Sequence, residues 1–271
     1  MMTGSAGADA TAAARQAGVL ISAVDDEPTA RLVSEVGEQV WGPRGTFAPN
    51  ELRALAFSGN PVHLAIDEQD GAPVGFAVGF LGWAPQLHVH SHQTGVVASH
   101  RRRRVGYALK LAQRSTCLSA GITEMRWTFD PLVRRNVAFN LNALGARAAA
   151  FYPDFYGAMT DSINASDSSD RLEAVWDLAR PRPAGTETAL KPGSLALRNR
   201  DGLPEQTGSS HAGAVLEIPA DFEAVRGQDP ERARAWRHAV RAVLTEAYAG
   251  GLRIGSVDDA GYRLVPGEEE R

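Results

Sequence analysis

The chain has 271 residues, of which 44% are hydrophobic and 22% are charged, with a formal net charge of -4. This length allows one or two domains, and the composition is that of a globular protein able to bury a large core. The negative charge argues against a dedicated nucleic-acid binder, and no apolar run is long enough for a membrane helix. The single cysteine, Cys117, excludes disulfide bonds within the chain and fits a reducing cytoplasm.

The chain begins with a segment rich in alanine and glycine. Residues 1–18 contain no basic region followed by an apolar stretch, so they do not resemble a secretory signal, and we expect a disordered tail. Residues 24–58 are predicted to form two helices. The first starts at Pro28, which follows three acidic residues, and the second starts near Pro49.

Strands and helices alternate in the middle of the chain. Asp70-Gly71 is typical of a hairpin turn between two apolar runs. Further on, the apolar run Gly95–Ala98 precedes a helix whose apolar stripe begins at Val105 and which ends near Gly121. The alternation predicts an α/β or α+β domain with a mixed sheet. The predicted strands are residues 62–67, 74–81, 125–129, 146–152 and 173–178, and a further helix covers residues 136–144.

The composition changes at the end of this pattern. Residues 181–212 are rich in Pro, Gly, Ser and Thr and poor in large apolar side chains, which is typical of a linker or a long surface loop. In the remaining piece, 213–271, a strand precedes a helix that begins at Asp229-Pro230. Because so short a piece buries little surface alone, we expect it to dock on the main domain, residues 19–180.

The segment Gly95–Lys110, GVVASHRRRRVGYALK, combines an apolar strand, an arginine-rich turn and an amphipathic helix. A helix that begins at such a turn presents unpaired backbone N–H groups and a positive dipole end to an anion. Gly106 and Ala108 keep the side chains small where phosphate oxygens must approach, and the arginines add charge. The pattern predicts a pyrophosphate site, and the alternative is a solvated arginine cluster ahead of an ordinary helix.

The spacing Arg103-x-x-Gly106-x-Ala108 resembles the acyl-CoA signature of the GCN5-related N-acetyltransferase superfamily, Arg/Gln-x-x-Gly-x-Gly/Ala. The runs TFDPLVRRNVAFNLNALGA, FYPDFYG and DRLEAVWDL extend the resemblance over residues 30–180, to a bacterial branch of acyltransferases that accompany racemases of N-acylated amino acids. The resemblance implies a mixed, mostly antiparallel central sheet flanked by helices. It also implies acetyl-CoA or succinyl-CoA as the acyl donor, with the pantetheine arm hydrogen-bonded to the strand before the turn. The expected acyl-CoA contacts are Val96, Val97, Ala98, Arg103, Arg104, Val105, Gly106, Tyr107 and Ala108.

The sequence departs from the superfamily pattern in the helix after the fifth strand. A tyrosine usually lies there four residues before a Gly-Phe pair and protonates the leaving thiolate, but counting back from Gly145-Ala146 gives Leu141. The general acid must therefore come from elsewhere or be solvent. Tyr156, in a loop that is long for a mere connection, is our candidate. Asn136 is a candidate to hold the CoA 3′-phosphate or a substrate carboxylate.

Thioester aminolysis also needs a base that takes a proton from the amine. His88, His90 and His92 alternate along a predicted strand and would share one face, and their ordinary pKa suits proton transfer near neutral pH. His92 is our first choice for the base, His90 is the second, and Asp130, at the end of a strand, is a further candidate. Each histidine could equally be packed or bonded to backbone, and Asp130-Pro131 is also typical of a turn. We predict no metal.

These observations predict an enzyme, an acyl-CoA-dependent N-acyltransferase that moves an acetyl or succinyl group to the amine of a small molecule, an amino acid among the options, by direct transfer. The alternative is a non-catalytic acyl-CoA-binding or regulatory module, which the absence of the tyrosine favours. The expected partners are acyl-CoA and a small-molecule amine, with no nucleic acid and no membrane. Whether the chain forms a homodimer is left open.

Overall fold

The structure is a computed structural model, and it describes residues 2–43, 45–157, 168–180 and 193–267. The chain divides into two compact units. The first contains the described residues up to Trp127 together with residues 177–180, and the second contains those from Thr128 to Trp176 and from residue 193 onward. The mixed α/β class is confirmed, because each unit combines helices with strands.

The first unit is built on a mixed sheet. Its elements, in chain order, are α1 (Met2–Ala17), β1 (Val19–Ala23), α2 (Glu27–Trp41), α3 (Pro49–Phe57), β2 (Val62–Asp67), β3 (Pro73–Gly82), β4 (His88–Val96), α4 (Val105–Ser119) and β5 (Glu124–Phe129). The strands lie in the order β1-β2-β3-β4-β5. All neighbours are antiparallel except β4 and β5, which are parallel. Val33 of α2, Leu52 of α3, Leu64 of β2 and Phe76 of β3 are buried together in its core.

The helices predicted over residues 24–58 are confirmed. Asp26 caps α2, because its carboxylate accepts a hydrogen bond from the backbone N–H of Thr29 at 2.8 Å, and Pro28 lies in the first turn. α3 begins at Pro49. In both helices the signal is local, which is why the sequence was sufficient to find them.

The N-terminal segment is a helix, and the expectation of a disordered tail over residues 1–18 is wrong. α1 buries Ala6, Ala13 and Ala17 and packs against α4. Alanine has the highest helix propensity of the residues, and its small side chain lets two helices approach closely. The alanine-rich composition that suggested a tail therefore provides the packing surface of a helix.

The second unit contains helices and two groups of paired strands. Its elements are α5 (Arg134–Ala138), which continues into a π-helical turn (Phe139–Ala143), β6 (Arg147–Tyr152), β7 (Arg171–Asp177), β8 (Leu195–Arg200), β9 (Leu203–Gln206), β10 (Val215–Leu216), α6 (Phe222–Gln228), α7 (Pro230–Ala249), β11 (Leu252–Asp258) and β12 (Gly261–Pro266). β6 and β7 are antiparallel. The other five strands form a sheet in the order β11-β12-β10-β8-β9, in which only β8 and β10 are parallel.

Part of the predicted linker, residues 181–212, is a hairpin, so the linker prediction is wrong for β8 and β9. Asp201 and Gly202 join these strands with positive φ angles of 54° and 85°, the conformation of a tight hairpin turn whose twist matches that of the strands. Leu197 is buried in β8. Polar composition suggested a loop because only a few side chains of this hairpin face the core. Residues 181–192 lie outside the described part of the chain.

The helix predicted from Asp229-Pro230 is confirmed as α7. The Asp229 carboxylate accepts from the Arg232 N–H at 3.0 Å, and a buried stripe that includes Trp236, Val240 and Leu244 follows. Trp236 donates its indole N–H to the Gly202 carbonyl at 2.9 Å, which fixes α7 on the β8–β9 hairpin. No helix in the described ranges is long and apolar enough to cross a membrane.

Candidate functional site

The arginine-rich turn joins β4 to α4. β4 ends at Val96, so Val97 and Ala98, which we expected in the strand, lie in the turn instead, and a single 3-10 turn covers Ala98–His100. The chain leaves the strand after the Val97 N–H donates to the Val74 carbonyl at 3.0 Å, because the His100 N–H then bonds back to the Val97 carbonyl at 3.0 Å. The residues expected to pair with pantetheine through their backbone are thus partly outside the strand.

The N-terminus of α4 carries no side-chain cap. Arg104 occupies the cap position in the left-handed conformation, with φ of 65°, and its side chain accepts no backbone N–H. A guanidinium has no acceptor, so arginine is unable to cap a helix in this way. The first backbone N–H groups of α4 are therefore available to an anion, next to the positive end of the helix dipole.

Gly106 leaves space beside this helix terminus. A Cβ atom built on Gly106 would meet no atom closer than Val96 Cγ2, at 3.9 Å. Ala108, one of the other small residues of the motif, is buried and faces the protein interior. The open side of the first turn of α4 is consequently the side at Gly106, next to the last residue of β4.

Two arginines of the turn have a left-handed backbone. Arg104 has a positive φ, and Arg102 does too, at 67°. Glycine adopts this conformation without a steric cost, whereas other residues lose about 1 kcal/mol or more in it. Arg101, Arg102, Arg103 and Arg104 are all exposed.

Arg103 has a partner within the protein. The Asp67 carboxylate at the end of β2 accepts from His100 Nε2 at 2.7 Å and from Arg103 Nη1 at 3.4 Å. It also accepts from the Gln69 N–H at 2.7 Å, and this bond, followed by the one to His100, lowers the pKa of Asp67. Asp67 thus ties the turn to the sheet, and Arg103 takes part in this anchor.

Two of the three strand histidines lie together. The rings of His90 and His92 are 6.0 Å apart, and both pack on Phe80, at 5.2 and 5.7 Å between ring centres. His88 is buried, and its Nδ1 lies 2.8 Å from the Gln86 carbonyl oxygen. The predicted ladder is therefore a pair plus one buried residue with a backbone partner.

Both paired histidines have lowered pKa values. Burial, and then repulsion from His92 and His88, lowers the pKa of His90 to about 4, and burial also lowers the pKa of His92. Both imidazoles are neutral at neutral pH and have a free capacity to accept a proton. His92 is the more exposed of the two.

β4 and β5 part near these histidines. Their parallel pairing joins Val89 to Met125 and His90 to Arg126, and it extends no further among the described residues. β4 also contains a β-bulge, because Gln93 lies opposite Val78 and Ser91 lies opposite Gly79, which leaves His92 as the extra residue. The parting leaves the β5-facing edge of β4 without strand pairing beyond His90.

Asp130 is not a free base, which corrects the expectation of proton chemistry at this residue. Its two carboxylate oxygens accept from Nη1 and Nη2 of Arg237 at 2.7 Å each, and Oδ1 also accepts from the Leu132 N–H at 2.8 Å. Asp130 and Arg237 are both buried. No local pattern in the sequence indicates this pair, because α7 supplies Arg237 from 107 residues away.

The other predicted site residues in the second unit are accessible. Tyr156 is 44% exposed, and its hydroxyl lies 2.9 Å from Thr128 Oγ1. Asn136 is exposed on α5. Leu141, at the position where the resemblance leads one to expect a tyrosine, is buried in the π-helical turn. The turn and the histidines belong to the first unit, whereas Asp130, Asn136 and Tyr156 belong to the second.

No family model and no curated protein matches the chain. Among solved structures, the chain is similar to the ribosomal-protein-S18-alanine N-acetyltransferase from Escherichia coli, at 12% identity and a TM-score of 0.48, over 62% of this chain and 97% of that one. It is similar to Ard1 from Thermoplasma volcanium at 17% identity and a TM-score of 0.46, over 59% and 97% of the two chains. Aminoglycoside 6'-acetyltransferase type Ii matches at 19% identity and a TM-score of 0.46, over 60% and 99%.

Proposed function

We propose that the protein is an acyl-CoA-dependent N-acyltransferase of the GCN5-related superfamily, which transfers an acyl group directly to the amine of a small molecule. One observation carries the proposal. A strand leads through a left-handed arginine turn into α4, whose uncapped N-terminus is open at Gly106. This arrangement suits the pyrophosphate of a CoA thioester, because backbone N–H groups, a helix dipole and arginines all favour the anion there.

The arginines of the turn divide into two roles in this proposal. All of these arginines are exposed, but Arg103 is hydrogen-bonded to Asp67 and orders the turn, whereas Arg102 and Arg104 would supply charge for the phosphates. Their left-handed backbone costs folding free energy, and such strain is found where a function requires it.

The thioester would lie along the free edge of β4, beyond the point where β5 departs. Backbone N–H groups near the bulge at His92 would polarise the thioester carbonyl and stabilise the oxyanion of the tetrahedral intermediate. The amine nitrogen attacks the carbonyl carbon, a C–N bond forms, and the C–S bond breaks. The CoA thiolate then takes a proton from solvent or from Tyr156.

The amine must lose a proton during this reaction. His92 and His90 are neutral at neutral pH and are able to accept it, with His92 the first choice because it is more exposed. Asp130 has no such role in the proposal, since Arg237 holds both of its carboxylate oxygens. Both acetyl and succinyl remain candidates for the group transferred. The roles of Tyr156 as the general acid, and of Asn136 as a contact of the CoA 3′-phosphate or of a substrate carboxylate, remain predictions.

A second candidate function is a non-catalytic acyl-CoA-binding module. It is favoured by Leu141, an apolar and buried side chain in the position that the resemblance gives to the general acid. Such a module would bind CoA at the same turn but would not accelerate transfer. A cytoplasmic location, predicted from the single cysteine, applies to both functions.

Two measurements separate these functions. Calorimetry with CoA measures binding, and a thiol-trapping dye measures CoA release from acetyl-CoA and succinyl-CoA over a panel of amines and amino acids. We expect CoA binding and acceptor-dependent thiol release in the wild type. Binding without release over the whole panel would support the binding module, and absence of binding would contradict both functions.

The histidines are tested with His92→Ala and His90→Ala, and His238→Ala provides a control because His238 is an exposed histidine of α7. We expect the variant that removes the base, with His92→Ala as the first choice, to lower kcat by about 10²–10⁴ while CoA affinity is retained. The wild-type rate should fall only at a pH below the ordinary histidine pKa, because the pKa of both histidines is lowered and protonation removes the base. The variant should lack this limb. A change below about threefold in both variants would assign the proton to solvent.

A further inference from the structure

Lys110 is a buried cation near the start of α4. The residue is 3% exposed, and its ammonium donates to Ser91 Oγ at 2.8 Å and lies 3.8 Å from the centre of the Trp127 ring. Among the described residues, no carboxylate forms an ion pair with it. The ammonium is therefore held by one hydroxyl and one aromatic face.

Such a group opposes folding. Taking an ammonium out of water is costly, and a hydroxyl and a ring compensate only part of that cost. The uncompensated part of this cost is reflected in the pKa of Lys110, which burial lowers to about 7. A methionine of similar length would fill the same space without this cost. The lysine is therefore not explained by stability, and groups of this kind concentrate where a protein functions.

The two partners of Lys110 mark the point at which β4 and β5 part. The last residue pair between these strands is His90 with Arg126, and the next residue on each strand is Ser91 or Trp127. Lys110 contacts both of these next residues from α4. It thus bridges the two strands where their own backbone pairing has stopped.

A second side chain of α4 fixes the same serine. Ser91 Oγ donates to Gln113 Oε1 at 2.7 Å, and Gln113 Nε2 donates to the Pro61 carbonyl at 3.4 Å. Ser91 directly precedes His92, the extra residue of the bulge. The backbone on the approach to the bulge is therefore held by two buried polar side chains, of which Lys110 alone also contacts β5.

We propose that Lys110 is a positioning residue for acyl transfer: by holding Ser91 and Trp127 together, it sets the geometry at which β4 and β5 part, and so the direction of the β4 backbone that would face the thioester. Lys110 itself does not touch the substrate. The inference rests on the proposed function, and it adds a residue to which the acyl-CoA motif gives no role.

The test compares Lys110→Met, Lys110→Arg and Ser91→Ala with Arg114→Met as a matched control. Arg114 is another basic residue of α4, and its contacts, with the Leu178 carbonyl at 2.8 Å and with Asp9 at 3.3 Å, do not involve β4. Hydrogen–deuterium exchange of the amides of residues 90–93, Tm, CoA affinity and kcat are measured on each full-length variant.

We expect Lys110→Met to keep or raise Tm, to bind CoA within about threefold of the wild type, and to exchange the amides of residues 90–93 at least tenfold faster. Its kcat should fall at least tenfold, Ser91→Ala should change in the same direction, and Lys110→Arg should recover part of the rate. Arg114→Met should lower Tm without a change in exchange at residues 90–93.

Unchanged exchange at residues 90–93 in Lys110→Met would overturn the proposal, and so would a lower Tm with unchanged kcat. If Lys110→Met does not fold, Ser91→Ala decides by the same two criteria. A wild type that releases no thiol with any acceptor would contradict the proposed function and, with it, the role of Lys110 in acyl transfer. Faster exchange in Lys110→Met would then still show that Lys110 holds the β4 backbone at residues 90–93.

Discussion

Arg237 and Asp130 form a buried two-bond ion pair, with both nitrogen–oxygen distances at 2.7 Å. The Arg237 guanidinium also lies 5.3 Å from the centre of the Phe222 ring, and Asp130 Oδ1 accepts from the Leu132 N–H at 2.8 Å. α7 is thereby joined to Asp130 within the second unit. A carboxylate engaged in this way serves the fold, because both of its oxygens already accept hydrogen bonds from the protein.

Breaking this pair should strongly destabilise the protein. Arg237→Met and Asp130→Asn should each lower the free energy of unfolding by about 3–5 kcal/mol, because each leaves the other charge buried without its partner. The double variant should lose less than the sum of the two. Urea unfolding of the three variants measures this. If either single variant lost less than about 1 kcal/mol while kcat fell a hundredfold, Asp130 would return as a catalytic candidate.

The open space at Gly106 gives a direct test of the pyrophosphate site. Gly106→Glu should fold, since a Cβ atom there would meet nothing closer than 3.9 Å, but its carboxylate would repel the phosphates. We expect CoA affinity to fall at least a hundredfold with Tm nearly unchanged. Gly106→Ala is the control, and it should stabilise the helix by up to about 1 kcal/mol. Normal CoA binding by the folded Gly106→Glu variant would show that the site lies elsewhere.

Variants of Arg104 separate the effect of its charge on CoA affinity from the effect of its strained backbone on stability. Arg104→Gly removes a backbone cost of about 1 kcal/mol and loses an exposed contact with the Tyr107 ring, 4.8 Å away, so stability should change little. CoA affinity should fall about fivefold or more at low salt, and the difference from wild type should shrink at high salt. Arg104→Lys, which keeps the charge, should bind CoA better than Arg104→Gly. Equal affinity in both variants would contradict a phosphate contact.

Stability should rise with pH in two windows. His63 is buried, and burial lowers its pKa to about 4; the unfolded chain therefore binds more protons between pH 4 and 6.5, and stability falls as pH drops through this range. Burial lowers the pKa of Lys110 to about 7, so the unfolded chain also binds more protons than the folded chain above this pH. Stability should therefore increase from pH 7 to 9. His90 and Cys117 interact electrostatically with Lys110, and both are uncharged between pH 7 and 9.

The rise in stability between pH 7 and 9 should depend on Lys110 alone. In Lys110→Met, the increase of the unfolding free energy between pH 7 and 9, up to about 1.4 kcal/mol per pH unit for one proton, should disappear. His63→Met should reduce the slope only on the acid side, where His90, whose pKa is also lowered to about 4, still contributes. Urea unfolding at intervals of half a pH unit distinguishes them, and an unchanged slope above pH 7 in Lys110→Met would show that Lys110 stays charged in the folded state.

The sequence by itself determined the elements whose signals are local. The strand predicted at residues 62–67 is β2, Val62–Asp67, because a short apolar run bounded by turn residues suffices to define it. Asp26, Pro28, Asp229 and Pro230 mark helix starts, since an N-cap and a first-turn proline act within three residues. The arginine turn before α4 was found for the same reason.

Tertiary structure alone decided the features that depend on distant partners. α1 is a helix packed on α4, although its composition suggested a tail, and Asp130 became part of the fold because Arg237 reaches it from α7. Lys110 looks like any helix lysine in the sequence, yet Ser91 and Trp127, from two different strands, make it a buried cation. Burial and ion pairing are set by long-range contacts, which no local pattern of residues contains.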